Sequence, residues 1–397
     1  MRALVIGGSM SGLLAALALK SRGFDVSVYE RVAEPLAGRG AGIVAQPELK
    51  AVLRTLGLDP DHDLGVEVPW RLMFSRDGRV THRMEIPQTM TAWDRVFHLL
   101  KAAFPEADYH SGKEVRGIEQ GERVTAHFAD GSAEEGDLLV GADGIRSTVR
   151  QQYLPDVVPL YAGYTAWRGL VNEAAFPPAL HAGLFEHFSF CLPDNEQMLG
   201  YPVAGPNNDL RRGHRRYNFV WYRPASEARE LRHLLTDDSG RTHMLSIPPP
   251  LIARAVIAEM REAAARVLAP QFNQMVSLCE QPFLQPIYDL EVPRMAFGRV
   301  ALVGDAAFVA RPHIGAGVAK AADDALALAD VLAGNTVESA LRRFQAARLP
   351  VGAKIIARTR HLGAYVQADL KSEAERQYAA RHRTPEAVLT ETAIMDF

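Results

Sequence analysis

The residues of this chain best suited to chemistry are a run of small residues near its start. Gly7-Gly8-Ser9-Met10-Ser11-Gly12 follows the apolar run Ala3–Ile6 and precedes a segment rich in Leu and Ala. A pyrophosphate needs bare backbone N–H groups and the positive end of a helix dipole, so the residues that approach it must be small. The run departs from the pattern G-x-G-x-x-G at its second glycine, which is Ser9. It therefore predicts a phosphate-binding turn.

An acidic residue follows at the distance expected for a nucleotide ribose. Asp25–Tyr29 alternates as a second strand, and Glu30 stands at its carboxyl end with Arg31 beside it. A carboxylate there can accept both ribose hydroxyls, which favours an adenosine without a 2′-phosphate. Strand, helix, strand and Glu30 in register predict a βαβ nucleotide-binding unit, with an ordinary βα turn as the alternative.

Each of two later strands ends near an aspartate that lies next to a glycine in a predicted turn. Asp143 follows the apolar strand predicted from Asp137, and Asp305 follows the strand predicted over Arg299–Val303. The carboxyl ends of strands in an α/β fold are where ligands bind. For Asp143 the residues leave two roles open, a cofactor contact or a cap for a helix predicted from Ile145.

Two glycine-rich stretches predict backbone that lies against a bulky group. Gly315, Ala316 and Gly317 open a helix predicted over 318–332, whose free N–H groups would stabilise negative charge. Residues 38–44 hold three glycines and end at Gly42, Ile43 and Val44. A plain flexible loop is the alternative for this second stretch.

Other segments predict the scaffold around these residues. An antiparallel sheet is predicted from four aromatic-rich strands, Tyr164–Val171, Phe185–Cys191, Met198–Val203 and Tyr217–Tyr222. The basic cluster at 211–216 reads better as a solvated hairpin tip than as a phosphate site. After Gly334 the chain is predicted to be helical, with its last twenty or so residues loosely held.

Composition excludes several classes of function. The 397 residues carry a formal net charge of −3, which does not favour binding to nucleic acid. No apolar run has the roughly twenty residues needed to cross a bilayer, and Gly7 interrupts any apolar leader. Two cysteines fit a reducing compartment and exclude a zinc cluster, so we expect a cytoplasmic protein without a metal centre.

Three of these stretches together resemble one family. Gly7–Gly12 with Glu30, Asp143-Gly144, and Gly304-Asp305 with the turn to Gly317 are similar to the single-component, FAD-dependent aromatic hydroxylases of the p-hydroxybenzoate hydroxylase type. The resemblance implies an α/β fold. Its parts would be a Rossmann-type FAD-binding domain (1–69, 93–163 and 282–334), a substrate domain on an antiparallel sheet (70–92 and 164–281) and a helical region (335–397). In the first, a parallel sheet would carry an antiparallel crossover.

The resemblance also implies cofactor contacts. Gly7, Ser9 and Gly12 would admit the pyrophosphate, with Asp143 near it, and Glu30, with Arg31 beside it, would bind the adenosine ribose. Further along, Asp305 would hold the ribityl chain, Gly315, Ala316 and Gly317 would face the flavin's pyrimidine edge, and Gly42, Ile43 and Val44 would pack beside the isoalloxazine.

The implied reaction is hydroxylation of a small hydroxylated aromatic. NADH or NADPH would reduce FAD, and a flavin C4a-hydroperoxide formed with O2 would hydroxylate the ring. Val28–Arg31, Gly42–Glu48, Tyr161–Gly169 and Arg311–His313 resemble hydroxypyridine hydroxylases in particular. For the assembly of the chain, we consider a homodimer.

Within this reaction His313 is the leading candidate to hydrogen-bond the substrate or take its proton, and a structural histidine is the alternative. Tyr201 is a weaker candidate, since most such tyrosines belong to a core, and His187 is weaker still. Three other functions stay open: an FAD-dependent oxidase or reductase, a hydroxybenzoate-type hydroxylase, and a flavin-binding interaction module.

Overall fold

The computed structural model of the protein describes residues 1–34, 36, 42–370 and 372–395. Of the glycine-rich stretch 38–44, only Gly42, Ile43 and Val44 lie within these ranges. None of the helices found there combines the length and the apolar character needed to cross a bilayer.

The described residues contain eighteen strands and twelve α-helices. The strands are β1 Arg2–Ile6, β2 Asp25–Glu30, β3 Gly42–Val44, β4 Val66–Phe74, β5 Val80–Ala92, β6 Tyr109–Ser111, β7 Val115–Gln120, β8 Val124–Phe128, β9 Ala133–Gly136, β10 Leu138–Gly141, β11 Leu160–Asn172, β12 Phe188–Cys191, β13 Gln197–Val203, β14 Arg216–Pro224, β15 Phe283–Glu291, β16 Ala296–Phe297, β17 Val300–Leu302 and β18 Phe308–Val309. The helices are α1 Met10–Ser21, α2 Pro47–Thr55, α3 Trp93–Ala103, α4 Thr148–Tyr153, α5 Pro178–Leu180, α6 Arg232–Leu234, α7 Arg254–Val267, α8 Pro270–Leu278, α9 Gly317–Leu332, α10 Val337–Leu362, α11 Glu373–His382 and α12 Pro385–Glu391.

A six-stranded sheet with the order β16-β17-β10-β1-β2-β6 forms the nucleotide-binding part. Strand β1 pairs in parallel with β2 and β10, and β10 pairs in parallel with β17. Ala3, Leu4 and Val5 are fully buried, as expected for a parallel strand covered on both faces. The antiparallel sheet β7-β8-β9 lies in the chain between β6 and β10. The predicted Rossmann-type fold with an antiparallel crossover is thus confirmed.

A nine-stranded sheet with the order β18-β15-β11-β14-β13-β12-β4-β5-β3 forms the second part. Its central pairs are antiparallel, but β12 runs parallel to β4, with Phe188 opposite Arg71. Strand β12 begins three residues later than predicted, because His181–Phe185 forms a π-helical turn. Edge strands β3 and β18 come from segments that the predicted domain boundaries place with the nucleotide-binding part, so the large sheet reaches the cofactor side of the molecule.

The basic cluster at 211–216 differs from the prediction at one residue. Arg211 and Arg212 are exposed as expected, but Arg215 is buried between two carboxylates. Its Nη2 lies 2.7 Å from Glu173 and 2.6 Å from Glu186. Burial by itself would raise the pKa of Glu173, but hydrogen bonds from Arg215 and His181 outweigh it and lower that pKa to about 2.

We predict that Arg215→Ala lowers the free energy of unfolding by about 3–5 kcal/mol, because it leaves the buried carboxylate of Glu173 and the half-buried one of Glu186 without this cation. Arg212→Ala, in the same cluster but exposed, is the control and should change it by less than about 0.5 kcal/mol. Denaturant unfolding measures both. Since the folded pKa of Glu173 is below its ordinary value of 4.5, the stabilisation is complete above that pH and is lost as the pH falls toward 2. Equal losses in both variants would contradict this assignment.

Candidate active site

Two cavities meet between the sheets and form one cleft. The first, about 470 Å³, lies along the carboxyl ends of the parallel strands, and the second, about 340 Å³, lies against the large sheet. Both are lined by Ser9, Ser11, Trp93 and Asp305. The predicted cofactor residues that line the first cavity are Gly7, Ser9, Glu30, Arg31, Asp143 and Asp305. Those that line the second are Ser9, Gly42, Ile43, Val44, Asp305, Gly315, Ala316 and Gly317.

At the turn between β1 and α1, two glycines occupy positions where a side chain would clash with the backbone. Gly7 has φ +106°, and a Cβ on it would lie 2.4 Å from the carbonyl oxygen of Ala142. A Cβ on Gly12 would lie 1.8 Å from the carbonyl oxygen of Gly7. Ser9 is the N-cap residue of α1, but its side chain caps no backbone N–H group. The first N–H groups of α1 are therefore left for a ligand in the cleft.

Glu30 is held by the backbone at the end of β2. Its two carboxylate oxygens accept hydrogen bonds from the N–H groups of Gly8, at 2.8 Å, and Val32, at 2.9 Å. Each oxygen keeps a further lone pair, and the residue lines the first cavity. This geometry fits a carboxylate that accepts hydrogen bonds from ribose hydroxyls. Arg31 lines the same cavity and is exposed.

Asp143 caps a helix. Its carboxylate accepts hydrogen bonds from the Ser147 hydroxyl and from the N–H groups of Thr148, at 2.7 Å, and Val149, at 3.2 Å. The N-cap residue is Ser147, whose hydroxyl accepts from the Arg150 N–H group at 2.9 Å, so the helix begins at Thr148 and not at Ile145 as predicted. Of the two roles left open by the sequence, the cap is present, and Asp143 also lines the first cavity.

Asp305 stands where the two cavities meet. It follows β17 in a short 3-10 turn, and its side chain has no hydrogen-bond partner among the described residues. The residue is exposed to the cleft, yet enclosure by the protein raises the pKa of its carboxyl group, against the opposing charge of Lys320. A carboxylate in this position is suited to accept hydrogen bonds from the hydroxyl groups of a bound ligand.

The opposite wall of the second cavity is the start of α9. Gly315 adopts a left-handed conformation with φ +61°, and the N-cap residue Ala316 has no side chain able to cap the helix. The first N–H groups of α9 therefore lack an acceptor within the helix and face the cavity. Strand β3, with Gly42, Ile43 and Val44, lines the same cavity.

The far end of the second cavity is aromatic and apolar. Phe188, Leu199, Tyr201, Val220 and Tyr222 line it from neighbouring strands β12, β13 and β14. Burial raises the pKa of Tyr201 to about 12, so its hydroxyl is protonated near neutral pH. That hydroxyl has no partner among the described residues and is free to bind a ligand. His187, by contrast, does not line this cavity.

One cation lines the aromatic end. Arg168, on β11, directs Nη1 to the Gln285 side chain at 2.9 Å and Nη2 to the Gly42 carbonyl at 3.3 Å. Its charge acts to lower the pKa values of Tyr201 and Tyr222, although burial dominates at both tyrosines. Apart from Asp305 at the far end, Arg168 is the only charged side chain among the described residues that line this cavity.

His313 lies at the edge of the cavity and is almost fully buried. Its Nε2 is 2.8 Å from the Tyr164 hydroxyl, and its ring centroid is 4.7 Å from that of Tyr222. Burial, and to a lesser degree the charge of Arg311, lowers the pKa of His313 to about 3. The imidazole is therefore neutral near pH 7.

Sequence reasoning missed Arg168, Tyr222 and two residues near the C-terminus, Thr392 and Ala393, as parts of this cavity. Tyr222 lies in the strand predicted over Tyr217–Tyr222, but nothing in the strand pattern marks it as part of a site. Thr392 and Ala393 carry no local signal. Contrary to the predicted loose tail, Leu389 is fully buried and Ala393 is nearly so.

Comparisons with known proteins identify the family. Models of an NAD(P)-binding Rossmann-like domain, an FAD binding domain-like region and an FAD binding domain match residues 5–80, 161–289 and 286–359. The 2,6-dihydroxypyridine 3-monooxygenase of Paenarthrobacter nicotinovorans is 34% identical over 371 residues, which are 92% of this chain and 91% of that protein. The chain belongs to the FAD-dependent aromatic monooxygenases of the p-hydroxybenzoate hydroxylase type.

Two further comparisons agree. The 6-hydroxynicotinate 3-monooxygenase of Pseudomonas fluorescens is 28% identical over 349 residues, covering 83% of this chain and 82% of that protein. The solved structure of 2,6-dihydroxypyridine-3-hydroxylase from Arthrobacter nicotinovorans superposes with a TM-score of 0.87 at 32% identity, covering 94% of this chain and 95% of that one.

The cleft fits the cofactor of this family. Uncapped N–H groups of α1 suit a pyrophosphate, Glu30 suits a ribose, Asp305 suits a hydroxylated chain, and the start of α9 suits the electron-rich edge of a flavin. The protein is accordingly an enzyme that uses FAD with NAD(P)H and O2, and the alternative of a non-catalytic flavin-binding module is wrong.

We predict that Asp305→Ala weakens FAD retention about tenfold or more, because a charged hydrogen-bond acceptor is removed from the middle of the cleft. Asp330→Ala, an aspartate paired with Arg22 at the surface, is the matched control. The ratio of flavin absorbance to protein absorbance after gel filtration measures retention. A fully flavinated Asp305→Ala protein would show that this carboxylate does not hold the cofactor.

Proposed function

We propose that this enzyme hydroxylates a hydroxypyridine, and that 2,6-dihydroxypyridine is the first substrate to test. The proposal is supported by the chemistry of the aromatic end of the cleft, where one cation and neutral hydroxyl groups surround an apolar slot. A flat, electron-rich ring with hydroxyl groups matches such a slot.

The state of Arg168 favours a ring without a carboxylate. The carboxylate of a hydroxybenzoate binds a guanidinium best through two parallel hydrogen bonds, and Arg168 already uses one N–H group of each terminal nitrogen on Gln285 and Gly42, which leaves fewer donors for such a pair. The remaining charge still stabilises a deprotonated ring hydroxyl through space. A hydroxypyridine therefore fits better than a hydroxybenzoate, which is the alternative substrate class.

Each residue around the ring has a separate task. FAD, when bound, supplies the activation of O2 by which the ring gains its hydroxyl group. Arg168 favours the anionic substrate, which makes the ring more nucleophilic, and Phe188 and Leu199 exclude water from it. The Tyr201 hydroxyl donates a hydrogen bond that fixes the orientation of the ring. At the other end, the N–H groups of α9 stabilise negative charge on the reduced cofactor.

His313 acts as a hydrogen-bond donor and not as a base. Burial raises the pKa of Tyr164 far above its ordinary value, so this tyrosine stays protonated, and we assign its hydroxyl as the donor to Nε2 of His313. The neutral imidazole then carries its proton on Nδ1, which is available to the substrate. With a pKa of about 3, His313 cannot take the substrate's proton near neutral pH.

The proposal extends to the location and the assembly of the enzyme. We expect the enzyme to act in the cytoplasm, free of nucleic acid and membrane, with a homodimer as one possible assembly. We propose that the chain divides into an FAD-binding domain (1–69, 93–163 and 282–334), a substrate domain (70–92 and 164–281) and a helical region (335–397).

The substrate class is tested by anaerobic flavin reduction, followed by visible absorbance after NADH or NADPH is mixed in. We predict that 2,6-dihydroxypyridine accelerates reduction at least about tenfold, which corresponds to about 1.4 kcal/mol of transition-state stabilisation. A panel of hydroxybenzoates is the comparison. Acceleration by a hydroxybenzoate alone would replace the proposed substrate, and fast reduction without any aromatic would favour an oxidase or reductase.

A second test addresses His313. We predict that His313→Ala lowers kcat/KM for the aromatic substrate about 10- to 100-fold, as expected for the loss of a hydrogen bond to a charged group, while FAD stays bound. Tyr164→Phe removes only the hydroxyl that orients the imidazole and should produce a smaller loss. Because the pKa of His313 is near 3, its titration should not limit activity between pH 5 and 8. Unchanged kinetics in His313→Ala would leave this residue a purely structural role.

A further inference from the structure

Residues 389–395, here called the closing segment, run between two cavities. Thr392 and Ala393 line the aromatic cavity. The next two residues, Ile394 and Met395, line a separate cavity of about 650 Å³ on the other side. Two stretches of backbone therefore separate the proposed substrate position from this outer cavity, the closing segment and the chain at Val44–Ala45.

Polar side chains hold the backbone of the closing segment. Arg71, on β4, donates from Nη1 to the carbonyl oxygens of Leu389, at 2.6 Å, and Thr392, at 2.8 Å. Two amides converge on the carbonyl oxygen of Ala393: Nε2 of Gln88 at 2.9 Å and Nε2 of Gln46 at 3.0 Å. The Gln88 side chain in turn accepts a hydrogen bond from Nη2 of Arg71. Arg71, Gln46 and Gln88 are here called the clamp. Arg71 is its centre, because it binds both the closing segment and Gln88.

Burial of the Arg71 cation has a desolvation cost, which its hydrogen bonds to the closing segment and to Gln88 offset. Its side chain is fully buried, and it forms no ion pair with a carboxylate in the described part of the chain. Burial lowers its pKa to about 9. The carbonyls that it binds belong to the C-terminal end of α12, where the partial negative charge of the helix and unpaired carbonyl oxygens favour a cation.

The clamp is connected to the groups around the substrate. The Ala393 N–H donates to the backbone oxygen of His313 at 2.7 Å, and Gln46 also donates to the Ile314 oxygen at 3.0 Å. The guanidinium of Arg71 lies 5.0 Å from the ring centre of Phe188, which lines the aromatic cavity. Ala393 itself holds a left-handed φ of +58°, which an alanine adopts only when its neighbours impose it.

We propose that Arg71 is a positioning residue that holds the closing segment in place as the removable wall of the substrate site. In the clamped state the wall shapes the cavity around the ring and keeps water out. When the segment moves away, the aromatic cavity joins the outer cavity, and substrate and product exchange by this route. The inference rests on the proposed function, since the exchanged ligand is the hydroxylated ring.

The decisive variant is Arg71→Met, which keeps the length of the side chain and removes its donors. Arg261→Met is the matched control, because Arg261 also donates to a backbone carbonyl, that of Cys279 at 3.0 Å, and does not line the aromatic cavity. We expect Arg71→Met to raise the Kd of 2,6-dihydroxypyridine, read from the flavin absorbance of the holoenzyme, about tenfold or more. The fraction of NAD(P)H that yields hydrogen peroxide should rise as well, while kcat changes less than KM.

A second readout does not need the substrate. Trypsin cleavage after Arg383, followed by intact mass, should be at least several-fold faster in Arg71→Met than in the unmodified enzyme or in Arg261→Met. Arg71→Lys, which keeps a charge and donors, should restore part of the protection. If the unmodified enzyme binds no hydroxypyridine, the proposed function fails, but the cleavage rates still decide whether Arg71 clamps the segment.

Unchanged cleavage and unchanged Kd in Arg71→Met would overturn the proposal. Faster cleavage with an unchanged Kd and unchanged peroxide formation would also overturn it, since the segment would then be held but would not form the wall. If Arg71→Met does not accumulate as soluble protein, Gln88→Met decides by the same measurements. This variant removes a donor to Ala393 and the acceptor of Arg71 Nη2, while Arg71 keeps its hydrogen bonds to Leu389 and Thr392.

Discussion

The positive ends of two helices open onto one cleft, and neither helix is capped by a side chain. At α1 the side chain of the N-cap residue Ser9 does not accept from the first N–H groups. At α9 the N-cap residue is Ala316, whose side chain has no hydrogen-bond acceptor. Free N–H groups at helix N-termini favour an acceptor with negative charge, so this arrangement favours an anionic ligand placed between the helices. The parallel sheet, the tight turn at Gly7 and the later turn at Gly315 all serve to bring these two helix ends to the same place.

The electrostatics of the cleft change along its length. The end at the start of α1 presents backbone N–H groups, and Asp305 places a carboxyl group in the middle. Among the residues described by the structure, the aromatic end holds one cation, Arg168, beside hydroxyl groups whose pKa values are raised by burial. His313 is neutral there because burial lowers its pKa. A site of this kind stabilises one negative charge on a flat ring and offers no strong base, so the acidity of the substrate itself has to contribute to its activation.

The sequence predicts the nucleotide-binding part well because its signals are local. The run Gly7–Gly12 lies directly between β1 and α1, and Glu30 ends β2, so periodicity and spacing suffice to place them. Asp143 shows the limit of such reasoning. An aspartate at a strand end, followed by a glycine, is compatible both with a ligand contact and with a helix cap. Only the structure shows that the Asp143 carboxylate accepts from the N–H groups of Thr148 and Val149. The pairing of β12 with β4 was equally invisible, since parallel neighbours distant in sequence share no turn.

The aromatic end could not be derived in this way, because its contacts join residues far apart in the chain. Arg71 and Leu389 are separated by 318 positions, and no periodic pattern links a buried arginine to carbonyl groups at that distance. The sequence beyond Lys371 is polar enough to suggest a loose tail, and propensity carries no information about what a tail packs against. A buried arginine is also a poor means of adding stability, because a well-packed apolar side chain often does as well or better. Its presence opposite helix carbonyls is better explained by the geometry that it imposes than by the free energy that it contributes. The same reasoning separates Arg71 from Arg215, whose partners are carboxylates and whose removal leaves buried charge.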